Sequence, residues 1–128
     1  MMVDSDVLTW YMRGHAHAKS VVDDLGSFCI SAVTYMEILQ GVRGGAELRA
    51  LKQFMVSRMV ECVPIDHATT DRAIYLMERF TLSHGLRMGD ALIAAAVDIR
   101  GDMLLTANAA HYRMIPGLAL HVFRPGTA

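Results

Sequence analysis

The chain has 128 residues, of which 53% are hydrophobic and 20% charged, and its formal net charge is −1. That length suits one domain with a proper core, and that apolar content argues against disorder. A near-neutral balance excludes binding of polyanions by bulk charge, so any nucleic-acid contact must come from a local patch or a bound metal.

The opening run Met1-Met2-Val3 fits a short buried parallel strand that ends in Asp4. Ser5–Arg13 follows as a helix, with Asp4 or Ser5 as its cap and Gly14 as its stop. A second short helix runs from His15-Ala16-His17 to Leu25. Its two histidines, at i and i+2, do not share a helix face, which argues against a metal site there. Phe28-Cys29-Ile30 reads as a second strand, Ser31 as an N-cap, and Ala32–Gln40 as a helix closed by Gly41.

After Gly44-Gly45, Ala46–Met59 carries an apolar stripe of Leu48, Leu51, Met55 and Met59. Glu61–Ile65 reads as a third strand. Asp66 caps a long helix, about 67–83, with Ala73, Leu76, Met77 and Phe80 on one face. These two helices offer more apolar surface than a small sheet needs, which makes a homodimer plausible. Ala91–Val97 is apolar all round and is expected as a buried helix, with Asp90 at its N-terminus. Met103–Thr106 is a fourth strand, Asn108 opens a short turn or helix with His111 and Tyr112, and Leu118–Phe123 is a last strand. Strands alternating with helices predict an α/β fold: a three-layer α/β/α sandwich around a central parallel sheet, with all strand C-termini on one edge.

Cys29 and Cys62 lie in strand-like runs without zinc spacing and are expected as buried, reduced thiols. Most of the ten methionines are expected as core filler. Asp4 and Asp6 interrupt any signal peptide, and no apolar stretch reaches the about 20 residues of a membrane span. A reducing cytoplasm is the expected location.

The predicted edge gathers Asp4, Glu37, Asp90, Thr106 and Asn108 from distant parts of the chain. Carboxylates brought together repel each other and resist ionising, and a divalent cation resolves this. Oxygen-only ligands point to Mg²⁺ or Mn²⁺. One such ion, or a pair, suits phosphodiester hydrolysis.

Four stretches carry a family resemblance: Val3-Asp4-Ser5-Asp6-Val7-Leu8, Ser31-Ala32-Val33-Thr34-Tyr35-Met36-Glu37-Ile38-Leu39, Leu86-Arg87-Met88-Gly89-Asp90-Ala91-Leu92-Ile93-Ala94-Ala95, and Leu104-Leu105-Thr106-Ala107-Asn108-Ala109-Ala110-His111-Tyr112. In order and spacing they resemble the motifs of PIN-domain ribonucleases, in particular the VapC toxins of type II toxin–antitoxin systems. The resemblance implies a Mg²⁺- or Mn²⁺-dependent endoribonuclease, usually dimeric, restrained by an antitoxin and acting on structured RNA. It implies Asp4, Glu37 and Asp90 as metal ligands, Asn108 as a fourth catalytic position, and Asp6, Ser5, Thr106 and His111 as supporting residues. Asn108 is neutral, and His111 stands where many members have Asp. Arg13 and Arg87 are the expected phosphate contacts.

Two other readings stand beside it. Asp4-x-Asp6 after an apolar strand is the nucleophile signature of haloacid-dehalogenase-type phosphatases. That chemistry also needs a nearby lysine, for which Lys19 and Lys52 are the only choices. A non-catalytic interaction module on the PIN fold is the other.

Overall fold

The computed structural model describes residues 1–126. Five short strands, β1 (Met2–Val3), β2 (Cys29–Ser31), β3 (Glu61–Val63), β4 (Leu104–Thr106) and β5 (Leu120–Val122), form one sheet in the order β3-β2-β1-β4-β5. Every pair is parallel. The chain therefore starts in the middle of the sheet. It winds outward through β2 and β3, then crosses back to lay β4 and β5 on the other side. That reversal makes the end of β1 a topological switch point, where open α/β sheets bind their ligands.

Six helices cover the sheet: α1 (Ser5–Met12), α2 (Ala16–Asp24), α3 (Ala32–Gln40), α4 (Gly45–Ser57), α5 (His67–His84) and α6 (Met88–Arg100). Alternate strand residues face alternate layers, as a period of two requires. Met2, Cys29 and Leu104 pack with α5 and α6, while Val3, Ile30 and Leu105 pack with α1 and α2. The result is the expected α/β/α sandwich. Ala91 and Ile93–Val97 of α6 are all buried, and their small side chains let this helix lie close on the sheet.

Capping sets where each helix leaves the sheet edge. Asp4 caps α1, Ser31 caps α3 and Asp66 caps α5 through side-chain bonds to backbone N–H groups. Gly85, with φ of 67°, ends α5 in the left-handed region. Leu86 N–H then bonds back to Phe80 C=O and Leu86 enters the core, which aims the start of α6 at the strand ends.

Three expectations need correction. Cys62 is exposed, because β3 is an edge strand. Five of the ten methionines, Met12, Met36, Met59, Met88 and Met103, are exposed rather than core filler. The α4 stripe ends before Met59, which follows the helix with φ of 50° and is 83% exposed. Among the described residues no helix is long and apolar enough to cross a membrane.

Candidate active site

Asp4 sits at the end of the central strand and is 5% exposed. Its Oδ1 accepts the Ser5 N–H at 2.8 Å, which caps α1. Its Oδ2 accepts two hydroxyls, Thr106 Oγ1–H at 2.8 Å and Tyr112 O–H at 2.9 Å. The Thr106 contact follows from register: Val3 lies opposite Leu105, so the next residues of β1 and β4 stand level.

Asp6 is held by the chain just beyond β4. Its Oδ1 accepts from Val7 N–H at 2.7 Å. Its Oδ2 accepts from Ala107 N–H at 3.0 Å and from Asn108 Nδ2–H at 2.9 Å. Thr106 Oγ1 in turn accepts the Asn108 N–H at 3.0 Å, which leaves the hydroxyl proton for Asp4.

Asp90 lies in the first turn of α6. Its Oδ1 is 3.2 Å from the Tyr112 hydroxyl and its Oδ2 is 3.3 Å from His111 Nδ1. The fourth sequence stretch thus supplies no fourth acid. It supplies a template of partners: the Thr106 and Tyr112 hydroxyls for Asp4, Ala107 and Asn108 for Asp6, and for Asp90 a share of the same Tyr112 proton together with the His111 ring. Asn108 acts as a partner of Asp6.

Glu37 stands two turns into α3 and its carboxyl leans toward the same place. A Cβ added at Gly89 would lie 3.3 Å from Glu37 Oε2, so the absence of a side chain at Gly89 makes the room. Asp4, Asp6, Glu37 and Asp90 line one cavity of about 270 Å³, with Ser5, Asn108 and His111 beside them and Arg87 on its wall. Thr106 is fully buried beneath it. Arg13 lies instead in an adjoining cleft of about 530 Å³ with Trp10 and His15; Ser5, Asp6 and Glu37 line both spaces. Neither Lys19 nor Lys52 lines the acid cavity, so it lacks the lysine a haloacid-dehalogenase-type phosphatase would need.

The cavity resists negative charge. Burial, reinforced by the Asp4 charge, pushes Asp6 up to about 6. Burial raises Glu37 as well, against the Ser5 hydroxyl, with Asp4 and Asp90 adding to the rise. Burial likewise raises Asp90, offset in part by His111 and helped by Asp4. Burial and the flanking acids hold the Tyr112 phenol far above its ordinary range, so it stays protonated as a donor. Among the described residues no three His, Cys, Asp or Glu groups form a ready-made metal cage.

Tyr112 is the residue that sequence reasoning missed. It reads locally as one more aromatic residue ahead of the Ile115-Pro116-Gly117 loop. The available signal was a phenol among residues expected to be buried, because a buried hydroxyl needs a partner.

The PIN domain pattern matches residues 1–115. Ribonuclease VapC10 of Mycobacterium tuberculosis is 33% identical over 130 aligned positions, covering 98% of this chain and 96% of its own length. Among solved structures, VapBC2 from Rickettsia felis bound to a promoter DNA fragment superposes with a TM-score of 0.81 at 19% identity, covering 96% of this chain and 98% of that one. DNA-bound VapBC from Salmonella typhimurium gives a TM-score of 0.80 at 21% identity, covering 94% and 96%. A toxin–antitoxin complex from Klebsiella pneumoniae gives 0.70 at 23% identity, covering 97% and 96%. These structural likenesses bear on the fold. With the family pattern spanning most of its length and a third of its residues shared with a curated relative, the chain belongs to the PIN-domain family.

Proposed function

We propose that this chain is a divalent-cation-dependent endoribonuclease and the toxin of a toxin–antitoxin pair. The observation that carries the reading is the convergence of Asp4, Glu37 and Asp90, from three separate elements, on one cavity where like charge is disfavoured. Such an oxygen-only donor set fits Mg²⁺ or Mn²⁺. The relative named as a ribonuclease and the toxin–antitoxin neighbours support the substrate class and the antitoxin partner. A homodimer belongs to the same proposal: Ile74 and Leu82 of α5 stay exposed, and a second copy is the partner we assign to that face.

Asp4, Glu37 and Asp90 are the residues that would hold the cation. When bound, the cation supplies charge for the phosphoryl oxygens and lowers the pKa of a water. Asp6 keeps the β4 turn in place through Ala107 and Asn108. Glu37, whose carboxyl reaches the cavity over Gly89, would hold the cation or orient the attacking water. Thr106 fixes Asp4 from below. Arg87 offers a cation to the phosphate, and Arg13, beside Trp10, lines a cleft along which the RNA can continue.

The test is incubation of the purified, antitoxin-free protein with total RNA in Mn²⁺ or Mg²⁺ and in EDTA, followed by sequencing of the ends. The expected products carry 5′-phosphate and 3′-hydroxyl ends and disappear in EDTA. A protein that cuts no RNA with either ion defeats the proposal.

Two substitutions probe the walls of the cavity. Arg87→Ala should weaken RNA binding across sequences and reduce the slope of log K against log salt by about one phosphate contact, read from filter binding at several salt concentrations. Gly89→Ala should separate stability from activity. It removes a first-turn glycine and with it some freedom of the unfolded chain, so the Tm should hold or rise. The new methyl also crowds Glu37 Oε2, and cleavage should fall by about tenfold from the displaced carboxylate. Thermal melts and single-turnover rates on the same samples check both halves.

A further inference from the structure

Tyr112 is fully buried, yet its hydroxyl faces two carboxylates, 2.9 Å from Asp4 Oδ2 and 3.2 Å from Asp90 Oδ1. The ring is a fixed post. It belongs to the core cluster that holds α6, and its backbone N–H closes the turn after β4 by bonding Ala109 C=O at 3.0 Å.

The two acids depend on that hydroxyl unequally. Asp4 has other holders, Ser5 N–H and Thr106 Oγ1–H. Among the described residues, the Asp90 side chain has only Tyr112 and the half-exposed His111. The phenol is therefore the one buried tie between Asp90 and the frame that fixes Asp4. A phenylalanine would fill the same core space, so the oxygen is not needed for packing. What the oxygen adds is a bond to the two acids, which a phenyl ring could not make. A buried polar atom that the fold could do without points to a role in the site.

We propose that Tyr112 is a positioning residue: its one hydroxyl proton, held between the inner oxygens of Asp4 and Asp90 and nearer to Asp4, ties the two carboxylates together and presents them to a divalent cation. The role rests on the cation-dependent reading of the cavity given above, although its own test needs no RNA. By touching the two acids rather than the cation, the phenol supplies the order that a fourth acid would supply by direct ligation. Removing such an outer hydrogen bond ordinarily costs about 10- to 100-fold in metal affinity.

The experiment is calorimetric titration of Mn²⁺ into the metal-free full chain, with thermal melts of the same samples. The proteins are the wild type, Tyr112→Phe, Tyr112→4-aminophenylalanine and, as a tyrosine outside the cavity, Tyr35→Phe. Tyr112→Phe should raise the Mn²⁺ Kd by about tenfold or more while the metal-free protein still melts in one cooperative transition. The aniline, which keeps a donor, should restore most of the affinity, and Tyr35→Phe should match the wild type. Should the Phe variant not fold, Tyr112→Met removes the same donor and should show the same loss.

Wild-type affinity in Tyr112→Phe overturns the proposal. So does a loss that the aniline fails to restore, and so does a wild type that takes up no Mn²⁺. The two readings fail separately. A wild type that cuts RNA beside a Tyr112→Phe protein of normal Mn²⁺ affinity sinks the positioning role and leaves the nuclease standing. A wild type that binds Mn²⁺ through Tyr112 but cuts no RNA does the reverse.

Discussion

Asp4→Asn should fold and should cleave RNA at least about 10²- to 10³-fold more slowly than the wild type, the size of effect seen when one group facing transition-state charge is lost. The substitution keeps the shape of the side chain and removes its charge. It also breaks the local bonding. Asp4 accepts on both oxygens, from Ser5 N–H on one side and from two hydroxyls on the other. An amide can accept on one side only, so its NH₂ must face either a backbone donor or the Thr106 and Tyr112 hydroxyls. Asp90→Asn should behave alike, since its two oxygens face Tyr112 and His111. The check is the cleavage rate of a fixed RNA in Mn²⁺, with circular dichroism showing a native spectrum for each variant. Asp4→Asn within threefold of the wild type would remove this cavity as the active site.

The acids were legible because each follows a signal that physics ties to position. Asp4 comes straight after a buried run, Glu37 follows a serine cap on the strand before it, and Asp90 opens an all-apolar helix. Once the strands are parallel, those three places fall on one edge. The donors around them were less legible. Thr106 could be placed at a strand end, but its bond to Asp4 depends on the β1–β4 register, which local sequence does not print. His111 ends a three-residue turn, Ala109–His111, and Tyr112 follows it into the core. Arg13 follows the end of α1, seven residues or two turns beyond Asp6, and so lines the cleft next to the acid cavity rather than the cavity itself. The stripe on α4 ran one turn too far because apolar periodicity carries no stop signal; Arg58 ends the helix.

Metal-free protein should lose stability as the pH rises from about 5 to 7.5, opposite to the trend expected of carboxylates that are paired in the native state. The group with the largest stake is Asp6, displaced from 3.8 to about 6 by burial and then by the Asp4 charge. A native pKa above the unfolded one means that the folded state binds the proton more tightly. The stabilisation is fully present below 3.8 and is lost as the pH passes through about 6. The displacement corresponds to about 3 kcal/mol at most, of which about half is still present at pH 5. Solvent access to a partly exposed side chain reduces that half to roughly 0.5–1 kcal/mol, a few degrees in Tm. Glu37 and Asp90 are displaced in the same direction and add to the slope. Carboxylates displaced downward work in a separate window. Asp66, held by its cap on α5, contributes stability that is present above 3.8 and lost as the pH falls below it. A divalent cation should reverse the trend, because it binds the ionised acids and not the protonated ones. The Mn²⁺-induced rise in Tm should therefore be small at pH 5 and large at pH 7.5. Scanning calorimetry of EDTA-treated protein at both pH values, with and without Mn²⁺, reads all four states. A metal-free Tm that climbs over this range, or an equal Mn²⁺ increment at both ends, would mean that the folded cavity does not resist ionisation of these acids. Asp4→Asn supplies the internal control: with the Asp4 charge gone, Asp6 loses its second cause of displacement, and both the metal-free slope and the Mn²⁺ increment should flatten.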